Sequence, residues 1–107
     1  MTRIELIEFI GDFLTKLDVF IGKMLPGDKE RKPFEKARDE LDDMLLKLRK
    51  KHFEAGTQEF KKATDELTSI NKDLKKTIVD LDKMVETMAT VTRFIGAVDK
   101  IIQTFIP

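Results

Sequence analysis

Apolar residues recur at helical spacing near the start of the chain, which predicts a first helix at about residues 3–25. Thr2 and Glu5 form a capping-box pattern at its beginning, and Leu25-Pro26-Gly27 is a turn signal at its end. The apolar positions are Leu6, Ile7, Ile10, Phe13, Leu14, Leu17, Phe20 and Ile21. Because this stripe is wide, we expect the first helix to be covered from two sides.

A second helix is predicted at about residues 33–55. Pro33 suits a first helical turn. Acidic residues concentrate near the start of this segment and basic residues near its end, an order that the helix macrodipole favours. Gly56 and Thr57 provide a stop signal and the next N-cap. Because that connection is short, we expect the second and third helices to form an antiparallel hairpin.

A third helix is predicted at about residues 57–105, where apolar residues hold a seven-residue repeat. The repeat consists of Phe60, Leu67, Leu74, Leu81, Met88, Ile95 and Ile102. A repeat of this length is typical of a coiled-coil seam, and one unbroken helix would be about 73 Å long. Gly96 is its weakest position, because glycine inside a helix costs about 1 kcal/mol.

The predicted fold is therefore all-α: an antiparallel bundle of three helices with a long C-terminal coiled-coil-like helix, in a single domain spanning 1–107. Matching charge-poor segments favours an extended arrangement, in which the first helix continues in line with the second and both pack on the third. The alternative is a compact four-helix bundle with a break near Gly96. The register kept across Gly96 favours the continuous helix.

The extended arrangement predicts an exposed apolar interface formed by the first helix and the C-terminal part of the third. Its candidate residues are Phe9, Phe13, Phe20, Phe94, Ile101 and Phe105. Two helices alone cannot bury all six side chains, and exposed apolar patches mark interaction sites. We therefore expect a second copy of the chain, or a helical protein partner, to cover them.

Composition narrows the classes of function. Lys and Arg together number 20, as do Asp and Glu, so a net charge of zero argues against nucleic acid as a partner. The chain has no cysteine, which excludes disulfides and zinc–thiolate sites. Charged residues interrupt the apolar N-terminal segment, and no apolar run is long enough for a transmembrane span. These features predict a cytoplasmic protein.

Candidate catalytic groups are few. His52 is the only histidine, so the sequence cannot supply the paired histidine motifs of a di-iron bundle. Ser69 is the only serine and falls within a predicted helix. We therefore predict no enzymatic activity and no catalytic, cofactor-binding or metal-ligating residues. The leading hypothesis is a non-enzymatic helical interaction or oligomerisation module. The alternative is a lipid- or membrane-surface-binding helical protein, which the zero net charge makes weaker.

Overall fold

The computed structural model describes residues 1–106, and its regular secondary structure is helical, which confirms the all-α class. The four α-helices are α1 (Arg3–Gly22), α2 (Arg31–Lys50), α3 (Gln58–Thr77) and α4 (Met84–Phe105). A single 3₁₀ turn, Leu81–Lys83, precedes α4. Three of the α-helices have 20 residues and α4 has 22, so each is about 30 Å long.

The predicted capping box is present at the start of α1. The Thr2 hydroxyl accepts a hydrogen bond from the Glu5 amide at 3.1 Å, and the Thr2 amide donates to the Glu5 carboxylate at 2.9 Å. These bonds to the Thr2 backbone and side chain lower the pKa of Glu5, because they stabilise its charged form. Thr57 caps α3 in the same way, accepting from the Phe60 amide at 3.1 Å.

The continuous third helix is wrong, because the chain turns back between Thr77 and Met84. The β-branched pair Ile78 and Val79 weakens the helix there. The Asp80 side chain then accepts from the Asp82 amide at 2.9 Å, and this bond organises the 3₁₀ turn. Gly96 lies inside α4, so the helix does continue through that position, as the register predicts.

The four helices pack side by side, with α1 against α2, α2 against α4, and α4 against α3. The Arg38 guanidinium donates to Asp18 at 2.9 Å, and the Arg93 guanidinium donates to Asp73 at 3.2 Å. These bonds join the antiparallel pairs α1–α2 and α3–α4. The structure measures only 42 × 24 × 18 Å, which the extended arrangement with a helix of about 73 Å cannot satisfy. The compact four-helix alternative is therefore the observed architecture, with the break at the 78–83 turn rather than near Gly96.

The predicted hairpin between the second and third helices is also wrong, because α2 and α3 lie on a diagonal of the bundle and do not pack closely together. α2 ends at Lys50 rather than near residue 55, and residues 51–57 form a linker without helical structure. Seven linker residues can span roughly 23 Å when extended, which exceeds the roughly 13 Å diagonal between helix axes. Phe53 in this linker is buried, with its ring centroid 5.8 Å from that of Phe60.

Arg3 explains why α2 stops at Lys50. Its guanidinium donates to the carbonyl oxygens of Leu48 at 3.1 Å, Arg49 at 2.9 Å and Lys51 at 2.9 Å. It also lies 5.7 Å from the centroid of the Phe53 ring. The last carbonyls of a helix lack intrahelical partners, and a cation there also complements the helix dipole. Arg3 therefore joins the start of α1 to the end of α2 and to the linker.

The helices share one hydrophobic core, but the predicted seam follows it only in part. In α3, the seam residues Phe60, Leu67 and Leu74 are buried as predicted. In α4, the side chains that face the core centre include Phe94 and Ile101. The remaining predicted seam residues of α4, which are Met88, Ile95 and Ile102, are only half-buried. The apolar surface of α4 is thus wider than the core requires.

We predict that Arg3→Met destabilises the fold by about 1–3 kcal/mol, because it removes three hydrogen bonds to the end of α2 while keeping the apolar stem. Urea denaturation followed by circular dichroism measures this loss. Arg49→Met is the control, because the Arg49 side chain is exposed, and it should change stability by less than about 0.5 kcal/mol. Equal losses in both variants would contradict the capping role.

Gly96 provides a second prediction, because a Cβ atom built there meets no other atom within 4 Å. Gly96→Ala should stabilise the monomer by up to about 1 kcal/mol through helix propensity. Gly96→Pro should cost about 3 kcal/mol or more, because proline breaks the α4 hydrogen-bond ladder. Thermal melts at a concentration low enough to keep the chain monomeric test both changes. A proline variant that melts like the wild type would mean that α4 ends at Gly96.

Candidate functional site: the groove between α2 and α4

Most of the predicted interface residues lie in the core of the chain itself. Phe13, Phe20, Phe94 and Ile101 are buried, whereas Phe9 and Phe105 are half-buried and pack against the core. The prediction assumed that two helices had to cover all six side chains. Four helices cover them instead, so these six residues do not form an exposed surface.

The Phe13 and Phe94 rings show how this burial is achieved. They stack at a centroid distance of 3.6 Å and an interplanar angle of 7°, which joins α1 to α4 across the centre of the bundle. Phe9 continues the stack, 6.2 Å from Phe94. At the linker end, the Phe105 ring meets Phe60 edge-on at 5.3 Å. Such aromatic pairs contribute about 0.5–1.5 kcal/mol beyond their area burial.

The surplus apolar surface of α4 lies beside α2. Met88 and Ile95 line the groove between these helices together with Pro33 and Ala37, and the depression there has a volume of about 280 Å³. Towards the start of both helices the groove continues past Met84 and Val85. We call this feature the α2/α4 groove, lined by Pro33, Ala37, Met84, Val85, Met88, Thr92 and Ile95.

The two walls of the α2/α4 groove differ in charge. The α2 wall carries Lys36 and Glu40, whereas the lining residues on the α4 wall are all uncharged. By contrast, the groove between α3 and α4 carries charge on both walls, with Lys62 and Glu66 on α3 and Lys100 on α4. An apolar wall loses little hydration when another protein covers it, so the α2/α4 groove is the better docking surface of the two.

The outward face of α4 is built from small side chains. Ala89, Thr92 and Gly96 are exposed and follow one another at helical spacing. Between Glu86 and Asp99 the only charged residue is Arg93. The Arg93 guanidinium donates to Asp73 of α3, on the side of α4 opposite the groove. The small side chains therefore leave α4 open to close approach by another helix.

The strongest charge interactions lie away from the groove. The bond to Asp18 raises the pKa of Arg38, and further contributions come from Asp42 and Asp39. Between α1 and α3, the Lys16 ammonium donates to the Asn71 side-chain oxygen at 3.3 Å. Partial burial lowers the pKa of Lys16, and the nearby charge of Lys75 lowers it further. Both sites join helices of the bundle.

The candidate catalytic groups are not brought together. His52 lies in the exposed 51–57 linker rather than on a helix, and Ser69 lies within α3. Among the described residues, no group of three or more His, Asp or Glu side chains is arranged to hold a metal ion. Within the same residues, every buried side-chain nitrogen or oxygen has a hydrogen-bond partner.

Comparisons with protein-family models, with curated proteins and with solved structures find no match to this chain. Along residues 1–106, no helix is both long and apolar enough to cross a membrane. The functional argument therefore rests on the geometry of the molecule itself.

Sequence reasoning missed the groove because it assigned Met88 and Ile95 to a coiled-coil seam. A signal was nevertheless present, since α4 is apolar at more helical positions than a core-facing stripe needs. The side of that wide stripe that faces the core depends on where α2 and α3 lie. The turn at 78–83 and the diagonal linker decide this, and neither follows from periodicity.

We predict that Phe94→Ala destabilises the monomer by about 3–5 kcal/mol, because it removes a fully buried ring and its stacking partner. Phe9→Ala is the matched control, since it removes the same ring from a half-buried position. The control should cost less than half as much in urea denaturation. A small loss for Phe94→Ala would show that the ring lies outside the core.

Proposed function

We propose that this chain is a non-enzymatic helical interaction module that forms a homodimer through α4 and the α2/α4 groove. The single observation that carries the proposal is the half-buried apolar strip of Met88, Ile95 and Ile102. These side chains lie at the edge of the core, where a second protein surface would complete their burial. Burying a large aliphatic side chain fully contributes about 1.5–3 kcal/mol.

The size of this face supports a second copy of the chain as the partner. A side face of 42 by 18 Å offers roughly 750 Å², close to the roughly 800 Å² per partner in a standard interface. Because both partners would present the same face, the contact would be isologous and would close as a dimer.

The small residues on α4 support close packing of two copies of this helix. Gly96 is exposed, and an added Cβ atom would meet no neighbour within 4 Å, so nothing in the monomer requires glycine there. Glycine nevertheless lowers helix stability by about 1 kcal/mol relative to alanine. Ala89, Thr92 and Gly96 together would let two α4 helices approach backbone to backbone.

Charge on α4 is also self-complementary in an antiparallel pair. Glu86 and Lys100 are exposed and lie equally far from Arg93, one on each side. A twofold axis that passes near Arg93 would place Glu86 of each copy beside Lys100 of the other. Arg93 already has Asp73 as a partner at 3.2 Å, which reduces repulsion between the two arginines. These exposed pairs would set the register more than the affinity.

Light scattering after size exclusion, supported by sedimentation equilibrium, tests the proposal with two matched substitutions. Gly96→Arg places a long cation at the centre of the proposed interface, and Gly11→Arg places the same side chain on α1. Both glycines lie within helices and have open space around an added Cβ atom, so both variants should fold at least as stably as the wild type. We expect a wild-type dimer, a dissociation constant at least tenfold higher in Gly96→Arg, and no change in Gly11→Arg.

Three results would contradict the proposed dimer. The wild type could remain monomeric at every concentration at which it is soluble. Gly11→Arg could weaken association as much as Gly96→Arg, or it alone could do so, which would place the contact on α1. Circular dichroism of both variants shows whether lost association instead reflects lost folding.

A further inference from the structure

The exposed aliphatic side chains of the chain concentrate at one end of the bundle. This end holds the α1–α2 turn and the α3–α4 turn. We call it the aliphatic end, defined by Val19, Leu25, Val79, Leu81 and Val85. The exposed fraction is 74% for Leu25, 75% for Val79 and 81% for Val85, so the tertiary structure leaves these side chains almost unburied.

These side chains surround the aliphatic end rather than line one groove. On the α1 side, Val19 and Val79 border a shared depression together with Lys23. On the α2 side, Val85 lies next to Met84 and Pro33. Leu25 and Leu81 occupy the two turns between these sides. A convex arrangement of this kind suits a flat, deformable apolar medium better than a single inserted helix.

The charges around the aliphatic end favour an anionic surface. Residues 23–32 and 75–86 contain seven basic side chains, which are Lys23, Lys29, Arg31, Lys32, Lys75, Lys76 and Lys83. The same segments contain five acidic side chains, which are Asp28, Glu30, Asp80, Asp82 and Glu86. The acidic side chain of Asp80 is already engaged by the Asp82 amide within its own turn. Basic residues near an anionic bilayer surface each add about 1 kcal/mol of attraction.

The area of this end argues against a second protein as its occupant. A cross-section of 24 by 18 Å offers roughly 400 Å², about half of what each partner contributes to a standard protein interface. A lipid surface has no such requirement, because each aliphatic side chain that enters the headgroup region gains burial independently. We propose that the aliphatic end inserts its exposed side chains into the surface of an anionic phospholipid bilayer.

Vesicle co-sedimentation tests this inference with two matched double variants. Leu25→Ser with Val79→Ser removes aliphatic side chains from the two turns. Ile4→Ser with Leu46→Ser removes exposed aliphatic side chains elsewhere, where 63% and 48% of each residue is exposed. We expect the wild type to bind mixed phosphatidylserine–phosphatidylcholine vesicles, and to bind less at high salt. The turn variant should partition at least tenfold more weakly, and the control should bind as the wild type does.

The same measurements in a Gly96→Arg background separate lipid binding from the proposed dimer. Leu25 and Val79 do not line the α2/α4 groove, so the monomeric variant should retain the dependence of binding on these two residues. The inference is overturned if the wild type does not sediment with mixed vesicles, or if both double variants lose binding equally. Equal binding to pure phosphatidylcholine vesicles would remove the role assigned to the basic side chains.

Discussion

The contact between the Phe13 and Phe94 rings determines how the rest of the bundle is arranged. At 3.6 Å between centroids, the two rings fill the space between α1 and α4, so these helices face each other across the centre. α2 and α3 must then occupy the other two corners, and the chain has to cross the end of the bundle between them. The seven-residue linker and the early end of α2 at Lys50 are consequences of that requirement.

Polar groups stabilise this arrangement where the apolar core cannot. Arg3 provides hydrogen-bond donors for the last carbonyls of α2. At the opposite end, the Thr87 hydroxyl donates to Thr77 at 2.9 Å and joins the facing ends of α3 and α4. Both interactions lie at helix termini, where backbone groups lack intrahelical partners and where turns must be held in one conformation. The bundle therefore has directional bonds at its ends and non-directional apolar packing in its middle.

The position of α4 also connects the two proposals. Its core-facing side packs against the other three helices, whereas its apolar stripe extends past α2 and emerges as the groove. Its first turn lies at the aliphatic end and exposes Val85. A dimer through the long face and a bilayer at the short end use different surfaces. One molecule can therefore engage both, with two aliphatic ends in each dimer.

The sequence by itself determined the helical class, the capping of α1 and α3 by Thr2 and Thr57, and the core positions Phe60, Leu67 and Leu74. These features depend on local hydrogen bonds and on periodicity, both of which can be read along the chain. The break at 78–83 was hidden, because Leu74, Leu81 and Met88 keep the seven-residue spacing across a turn. Two helices folded onto each other need the same apolar pattern as one long helix, so periodicity cannot separate them. Only the tertiary structure decided that Phe13, Phe20, Phe94 and Ile101 are buried while Met88 and Ile95 remain at the surface. The reason is that burial depends on which helices become neighbours, and that choice rests on long-range contacts such as the Phe13–Phe94 stack and the bonds from Arg3.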